Sequence, residues 1–344
     1  MRDYHTGGGD YNAPSIRVSE FRLEWHHRHL MRGAMHSHQH KALIGTLYAV
    51  AAFVLWGALP VYWKVLHQVP PGVILGHRIV WTFAFTLGLV LVRGDFSILR
   101  DALRERRQRI AIFLCAVTLT GNWFFYLYAV ATNHLIEASL GYYINPLLSV
   151  LFGVLFLKER LGFWQVIAFA VAVAGVVMLT IDYGRFPWIS ILIAVSFGLY
   201  GLIKKASGID SRISITAESM VLTPFALVLL VVPVLRGGTF YLGLSPLVAI
   251  LLIFSGVITA LPLIWFARAA ELIPLSRVGF AQYLTPTSFL VLGVLAYHEA
   301  FSLVQLASFA CIWIALLFFT MSGTRLLIRL TPHRFRRSPE GSVS

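Results

Sequence analysis

Charge is the scarcest commodity in this chain. Only 12% of its 344 residues are Asp, Glu, Lys or Arg, against 58% hydrophobic ones, and the mean hydropathy is +0.76. A soluble globular domain carries about 25% charged residues, so that class is excluded. Cysteine is nearly missing as well. Cys115 and Cys311 are the two, both inside apolar runs, which excludes a disulfide framework and offers no metal-ligand spacing. They read as packing residues. The short alternating strands of a membrane barrel are lacking, and the apolar residues come instead in runs of about 20, the length a helix needs to cross a bilayer. There is no Walker loop, no G-x-S-x-G, no H-E-x-x-H, and no pair of carboxylates in one leaflet placed for acid–base work. The expectation is therefore no enzyme, no cofactor and no metal. Acidic residues number 15 against 28 Lys and Arg, a net charge of +13. The basic residues cluster in alternate loops without a basic face interleaved with aromatics, so the expected partner is the lipid bilayer and not nucleic acid.

What is present is a polytopic helical membrane protein. Residues 1–41 are polar, with seven histidines from His5 to His40, and are expected to be disordered and cytoplasmic. The stretch HSHQH has no cysteine near it and is not assigned a metal. Ten spans follow, at about 42–65, 72–92, 110–131, 134–157, 163–182, 187–204, 214–234, 246–267, 273–297 and 303–322, with a basic tail over 323–344. Arg93, Arg100, Arg104, Arg106, Arg107 and Arg109 fall between spans two and three. Counted from that loop, every second connection is basic, so both termini are expected in the cytoplasm.

The chain is also duplicated. Leu135–Leu161 and Leu275–Phe301 match at a constant offset of 140: Tyr143 falls on Tyr283, Pro146 on Pro286, Glu159 on Glu299 and Gln165 on Gln305. The repeat unit holds five spans, 42–182 and 183–322, and an odd number makes the second copy enter the membrane upside down. Inverted repeats of this kind place a solute site near the midplane between the halves.

Four charges lie inside spans, where each costs about 2.5–3.5 kcal/mol and so calls for a partner. The same offset relates Arg78 to Glu218, Glu137 to Arg277 and Lys64 to Lys204. Depth along the spans puts Arg78 and Glu137 within about 10 Å of one surface and Glu218 and Arg277 at similar depth from the other. Two ion pairs are expected, Arg78 with Glu137 and Glu218 with Arg277, serving either to gate each side or simply to hold helices together. Glu159 and Glu299 lie at span ends on opposite surfaces, with structural and gating roles both open. At the midplane Pro146 and Pro286 are expected to kink and interrupt spans four and nine. Trp56, Asn122, Trp123, Tyr143, Asn145, Gln282 and Tyr283 are placed near that level as the lining of a cavity for a small, partly aromatic or amphipathic solute.

HRIVW at 77–81, GNW at 121–123, EASLGYYINPL at 137–147 and the GVLFLKERL ending of the first repeat resemble the RarD branch of the EamA transporters, in the drug/metabolite transporter superfamily. The resemblance covers about residues 42–322. It implies an all-α membrane protein of ten transmembrane helices in two inverted five-helix repeats, a bacterial inner-membrane location, and movement of a small metabolite or drug-like solute. The RarD name is linked with chloramphenicol sensitivity. The long basic, His-rich amino terminus departs from the pattern. A secondary transporter working by alternating access is the reading adopted, with a non-transporting membrane scaffold or sensor as the alternative. Substrate, coupling ion, direction and oligomeric state are not set by the sequence.

Overall fold

The computed structural model describes residues 15–132, 134–237, 244–292, 302–322, 324, 327 and 330–332, with the side chains of 15–39, 127, 130, 131, 135 and 136 outside the description. Two compact units divide the chain, Met1–Leu43 and Ile44–Ser344. The first is helical from Ser15 onward, as the start of α1 (Ser15–Val65). The expectation of disorder over 1–41 is not met from Ser15 to Lys41, and its part over 1–14 lies outside the described residues. The segment after Pro14, as far as Lys41, is rich in His and Arg and has one glycine, Gly33, and there is no further proline before Pro60. It can continue a helix already nucleated by the membrane span without a core of its own.

The second unit contains the rest of α1, then α2 (Pro71–Val92), α3 (Phe96–Arg104), α4 (Arg106–Ala131), α5 (Leu135–Phe156) and α6 (Phe163–Tyr183). The second repeat follows as α7 (Trp188–Ser207), α8 (Ser211–Leu235), α9 (Pro246–Leu272), the pair α10 (Leu275–Gln282) and α11 (Leu284–Val291), and α12 (Leu303–Met321). Among the described residues nine helices are long and apolar enough to cross a membrane. The remaining span, the ninth in chain order, is α10 with α11. Large apolar side chains such as Leu155, Ile250 and Leu317 stand exposed on the outside of the bundle, as lipid-facing surfaces must. α3 is a short helix between spans two and three that the span pattern does not anticipate. Leu99 and Ala102 pack it against Val90, Ile112, Ile213 and Ala217.

Local signals explain where the helices begin. Pro71 and Pro246 occupy first-turn positions, where a missing N–H costs nothing. Ser302 and Gln305 form a capping box at α12, and the matched Gln165 accepts from the Gly162 N–H at 2.8 Å to open α6. Thus one pair of repeat-matched residues has a purely structural task.

Equivalent helices of the two repeats pack on each other, α2 on α8, α5 on α10 and α6 on α12, which is the contact pattern of a pseudo-two-fold axis running between the halves. The remaining strong contacts join α7 to α4 and α5, and α2 to α9. α2 and α9 approach closely at Gly256, where a Cβ would lie 2.3 Å from the Trp81 carbonyl carbon. The Thr82 hydroxyl donates to the Gly256 carbonyl at 3.1 Å across the same crossing, a small-residue contact of the kind that drives helix association in lipid.

The two mid-span prolines behave differently from one another. Pro146 lies inside α5, which is continuous over Leu135–Phe156, so the expected interruption of span four is not seen. Pro286 lies in the first turn of α11, and the break comes at Tyr283, three residues earlier. A proline removes the bond to the residue four before it and crowds that carbonyl, which puts the disturbance at Gln282 and Tyr283 and not at the proline itself. Glu299 and the end of span nine lie outside the described residues.

Candidate functional site

A cavity of about 510 Å³ opens between the repeats in the second unit. It runs from the helix ends at Trp63 and Pro71 down to Asn145, Gln282 and Thr285. Of the residues placed there from sequence, Trp56, Asn122, Trp123, Asn145 and Gln282 line it.

Tyr143 and Tyr283 do not. Both pack away from the cavity among Val150, Ala168, Phe280 and Ile312, with the Tyr143 ring edge-on to Phe309 at 5.3 Å. The cause is helical rotation of about 100° per residue. Tyr142, one position earlier, reaches the cavity in place of Tyr143. Its ring meets Tyr126 at 6.4 Å and Phe289 at 5.8 Å.

Arg78 lies in the cavity wall and not in an ion pair with Glu137. Its guanidinium sits 4.9 Å from the centre of the Trp63 ring and 5.1 Å from that of Trp123. Its Nε donates to the Thr259 hydroxyl at 3.0 Å. Two aromatic faces hold a cation electrostatically without neutralising it. Among the described residues no carboxylate forms an ion pair with Arg78.

Glu137 is 3% exposed and is satisfied at the start of α7: it accepts from the Tyr183 hydroxyl at 2.7 Å and from the Ile189 N–H at 3.1 Å. The Ser190 hydroxyl donates to its backbone carbonyl at 2.6 Å. A carboxylate on the free amides of a helix start is favourable by hydrogen bonding and by the helix dipole together. That explains why it needs no arginine.

Glu218 corrects the second expected pair. It is 1% exposed and bonded to Lys204 at 2.5 Å, while the Ser214 and Tyr200 hydroxyls donate to it at 2.6 and 3.2 Å. Lys204 also donates to Ser214 at 2.7 Å. Arg277, its expected partner, is exposed. The connection between α7 and α8 produces this cluster. Gly208, at φ 64°, ends α7 in the left-handed conformation, and Asp210 caps α8 by accepting from the Arg212 N–H at 3.0 Å. The tight turn sets Lys204 directly beside Ser214 and Glu218. Sequence reading missed it because it ended span six at Lys204, whereas α7 runs on to Ser207 and takes the lysine inside.

Between this network and the cavity lies an aromatic layer, of which Phe197 lines the cavity and Tyr200 and Phe266 stand behind it. Phe197 contacts Trp56, Tyr200 and Phe266 with ring centres 5.7, 5.7 and 5.2 Å apart, and Tyr200 stacks on Phe266 at 5.8 Å. Tyr200 and Phe266 are fully buried. At the same end of the bundle Glu159 accepts from the backbone N–H groups of Leu275 and Ser276 at 2.5 and 2.9 Å, tying the connection between α5 and α6 to the start of α10.

Two polar atoms beside the cavity stand out. Asn122 donates to the Ile193 carbonyl at 2.9 Å, and the Gln282 amide nitrogen donates to Ser149 at 2.9 Å. The Asn145 Oδ1 and Gln282 Oε1 oxygens, in contrast, are buried with no hydrogen-bond partner among the described residues. Among the described residues no group of three or more His, Cys, Asp or Glu side chains is placed to hold a metal.

A ten-span bundle with repeated halves and a cavity between them defines the class as a multi-pass membrane transporter, and the chain belongs to the EamA-like transporter family, which matches residues 43–181. Within that family its relatives fall in the RarD branch. It is 42% identical over 291 residues to Uncharacterized transporter YojE of Bacillus subtilis (strain 168), spanning 82% of this chain and 95% of that one. It is 36% identical to Protein RarD of Escherichia coli (strain K12), over 81% of this chain and 94% of that one. To Chloramphenicol-sensitive protein RarD of Pseudomonas aeruginosa it is 31% identical, over 82% and 95% of the two chains. A crystal structure of a protein 20% identical in sequence superposes with a TM-score of 0.63, covering 82% of this chain and 98% of the other. At that identity the likeness is one of fold alone.

Proposed function

We propose that the chain is a secondary transporter of the bacterial inner membrane, both termini cytoplasmic, that moves a small metabolite or drug-like solute by alternating access. The cavity between Trp63 and Gln282 is its solute site. The observation that carries this reading is the difference between the two ends of that cavity. One end reaches the helix ends at Pro71, and at the other Phe197 is backed by Tyr200 and Phe266, with the Lys204–Glu218 network bonded to Tyr200 behind them. A cavity with one closed end at the boundary of inverted repeats is what one state of an alternating-access cycle requires. By the distribution of Lys and Arg among the loops, the open end faces outward.

Counterflow in proteoliposomes tests it, with a labelled panel of amino acids, aryl carboxylates and chloramphenicol. Saturable exchange of a panel member, lost in Asn145→Ala while the protein elutes as a folded species, is the expected result. Exchange that persists undiminished in Asn145→Ala and in Trp123→Ala would remove the cavity from the transport path.

A further inference from the structure

We propose that the solute is an organic anion that also carries a hydrogen-bond donor: its carboxylate binds Arg78, its apolar body lies between the aromatic rings, and an N–H or O–H group reaches Asn145 and Gln282. This rests on the cavity being the solute site. Three features of the wall point the same way, and each is unexplained by packing alone.

The first is Arg78. It is held in place by Trp63, Trp123 and Thr259, all of which leave its charge uncancelled. A guanidinium uses one donor on Thr259 and keeps four more in a planar fork, and that fork matches a carboxylate. A cation with no carboxylate partner among the described residues is costly inside a membrane protein, and a charged solute that arrives with the opposite sign offsets the cost each time the site fills. The second feature is the pair of orphaned amide oxygens. Asn145 and Gln282 are 6% and 4% exposed, and an unpaired buried acceptor costs about 1–3 kcal/mol. Both are acceptors, so they select for a donor and against a second anionic group. The third is the set of rings between these two polar elements. Trp123, Tyr126, Tyr142 and Phe289 all line the cavity, which suits a flat apolar body. A volume of about 510 Å³ lies in the range of small-molecule sites.

The test is a matched set of probes on the full-length chain in nanodiscs, followed by quenching of tryptophan fluorescence: 3-(4-hydroxyphenyl)propionate, whose hydroxyl lies at the far end of the ring from its carboxylate, its methyl ester, and phenylpropionate, which lacks the hydroxyl. 3-(4-Hydroxyphenyl)propionate is expected to bind about tenfold more tightly than its methyl ester, as loss of a hydrogen-bonded charge implies. That preference disappears in Arg78→Gln and survives in Arg78→Lys. Phenylpropionate is expected to bind about fivefold more weakly than 3-(4-hydroxyphenyl)propionate, a difference abolished in Asn145→Ala with Gln282→Ala. Because each reading is a ratio of two probes on one variant, partial loss of folded protein does not mimic it. Equal binding of acid and ester to the wild type, or binding of neither, overturns the proposal, as does an Arg78→Gln variant that keeps the preference. Counterflow separates this from the transport reading. Exchange of the neutral ester as strong as that of the acid would leave transport standing and this proposal overturned, whereas Arg78-dependent binding without any exchange would do the reverse.

Discussion

Arg78 and Glu218 occupy matching places in the two repeats, 140 residues apart, and have opposite fates. Glu218 is enclosed by Tyr200, Lys204 and Ser214. The positions that match those three in the first repeat are Pro60, Lys64 and Ile74. Pro60 and Ile74 bring no hydroxyl and line the cavity with Arg78, and Lys64, exposed at the helix end, has the same sign as Arg78. The first repeat therefore cannot build the closure that the second has. The comparison teaches that a shared backbone plan leaves side-chain chemistry to decide which end of an inverted repeat is sealed by itself and which is left for a ligand.

Breaking the sealed end should have the largest effect. Lys204→Met or Glu218→Met alone leaves one buried charge without its partner and is expected to lower stability by about 3–5 kcal/mol, read as a fall in the thermal midpoint in detergent. The double variant Lys204→Met with Glu218→Met should recover most of that loss, since the desolvation of both charges is removed with their attraction. A double variant as unstable as the worse single one would show that the network holds the fold through contacts other than the charge pair. Next in size is Gly256→Ala. The added methyl collides with the Trp81 backbone and should cost about 1–3 kcal/mol by overpacking. It should also weaken solute binding, because it pries α2, which carries Arg78, away from α9, which carries Thr259. Glu159→Gln keeps one acceptor but loses the charge on the two α10 amides, an expected cost of about 1 kcal/mol with a larger effect on the rate of exchange than on stability. The smallest change is the sharpest about geometry. Tyr142→Phe should alter solute affinity, while Tyr143→Phe, one residue along the same helix, should leave it within twofold in the same binding assay.

That last pair shows what the sequence could and could not convey. The spans were legible because apolar runs of about 20 residues have one physical explanation, and observed helices such as Pro71–Val92 and Phe163–Tyr183 begin and end within a residue or so of the expected limits. The duplication was legible because it is written in the residues. Asn122, Asn145 and Gln282 could be placed in the cavity because a polar amide deep in a span has few other places to go. Azimuth was harder. Tyr143 and Tyr283 matched across the repeats and so looked functional, yet the match reflects their common place against α6 and α12. The charges failed for the same reason. Depth along a span follows from counting residues, but which way a side chain points around the helix does not, and opposite signs at equal depth do not make a pair. Lys204 was in view as the counterpart of Lys64, and about one extra turn of α7 moved it from a loop to the core. Tyr126, Thr259 and Phe289 carried no signal that separates a cavity wall from ordinary packing.

The claim that one end is open and the other sealed can be tested directly by thiol labelling from each face. In a background with Cys115→Ala and Cys311→Ala, Tyr142→Cys places a single thiol on the cavity wall, and a membrane-impermeant maleimide is applied to spheroplasts and, separately, to inverted vesicles. Faster labelling from the outer face is predicted, with the ratio falling when Lys204→Met and Glu218→Met are added. Equal rates from the two faces before the network is broken, or faster labelling from the inner face, would contradict it.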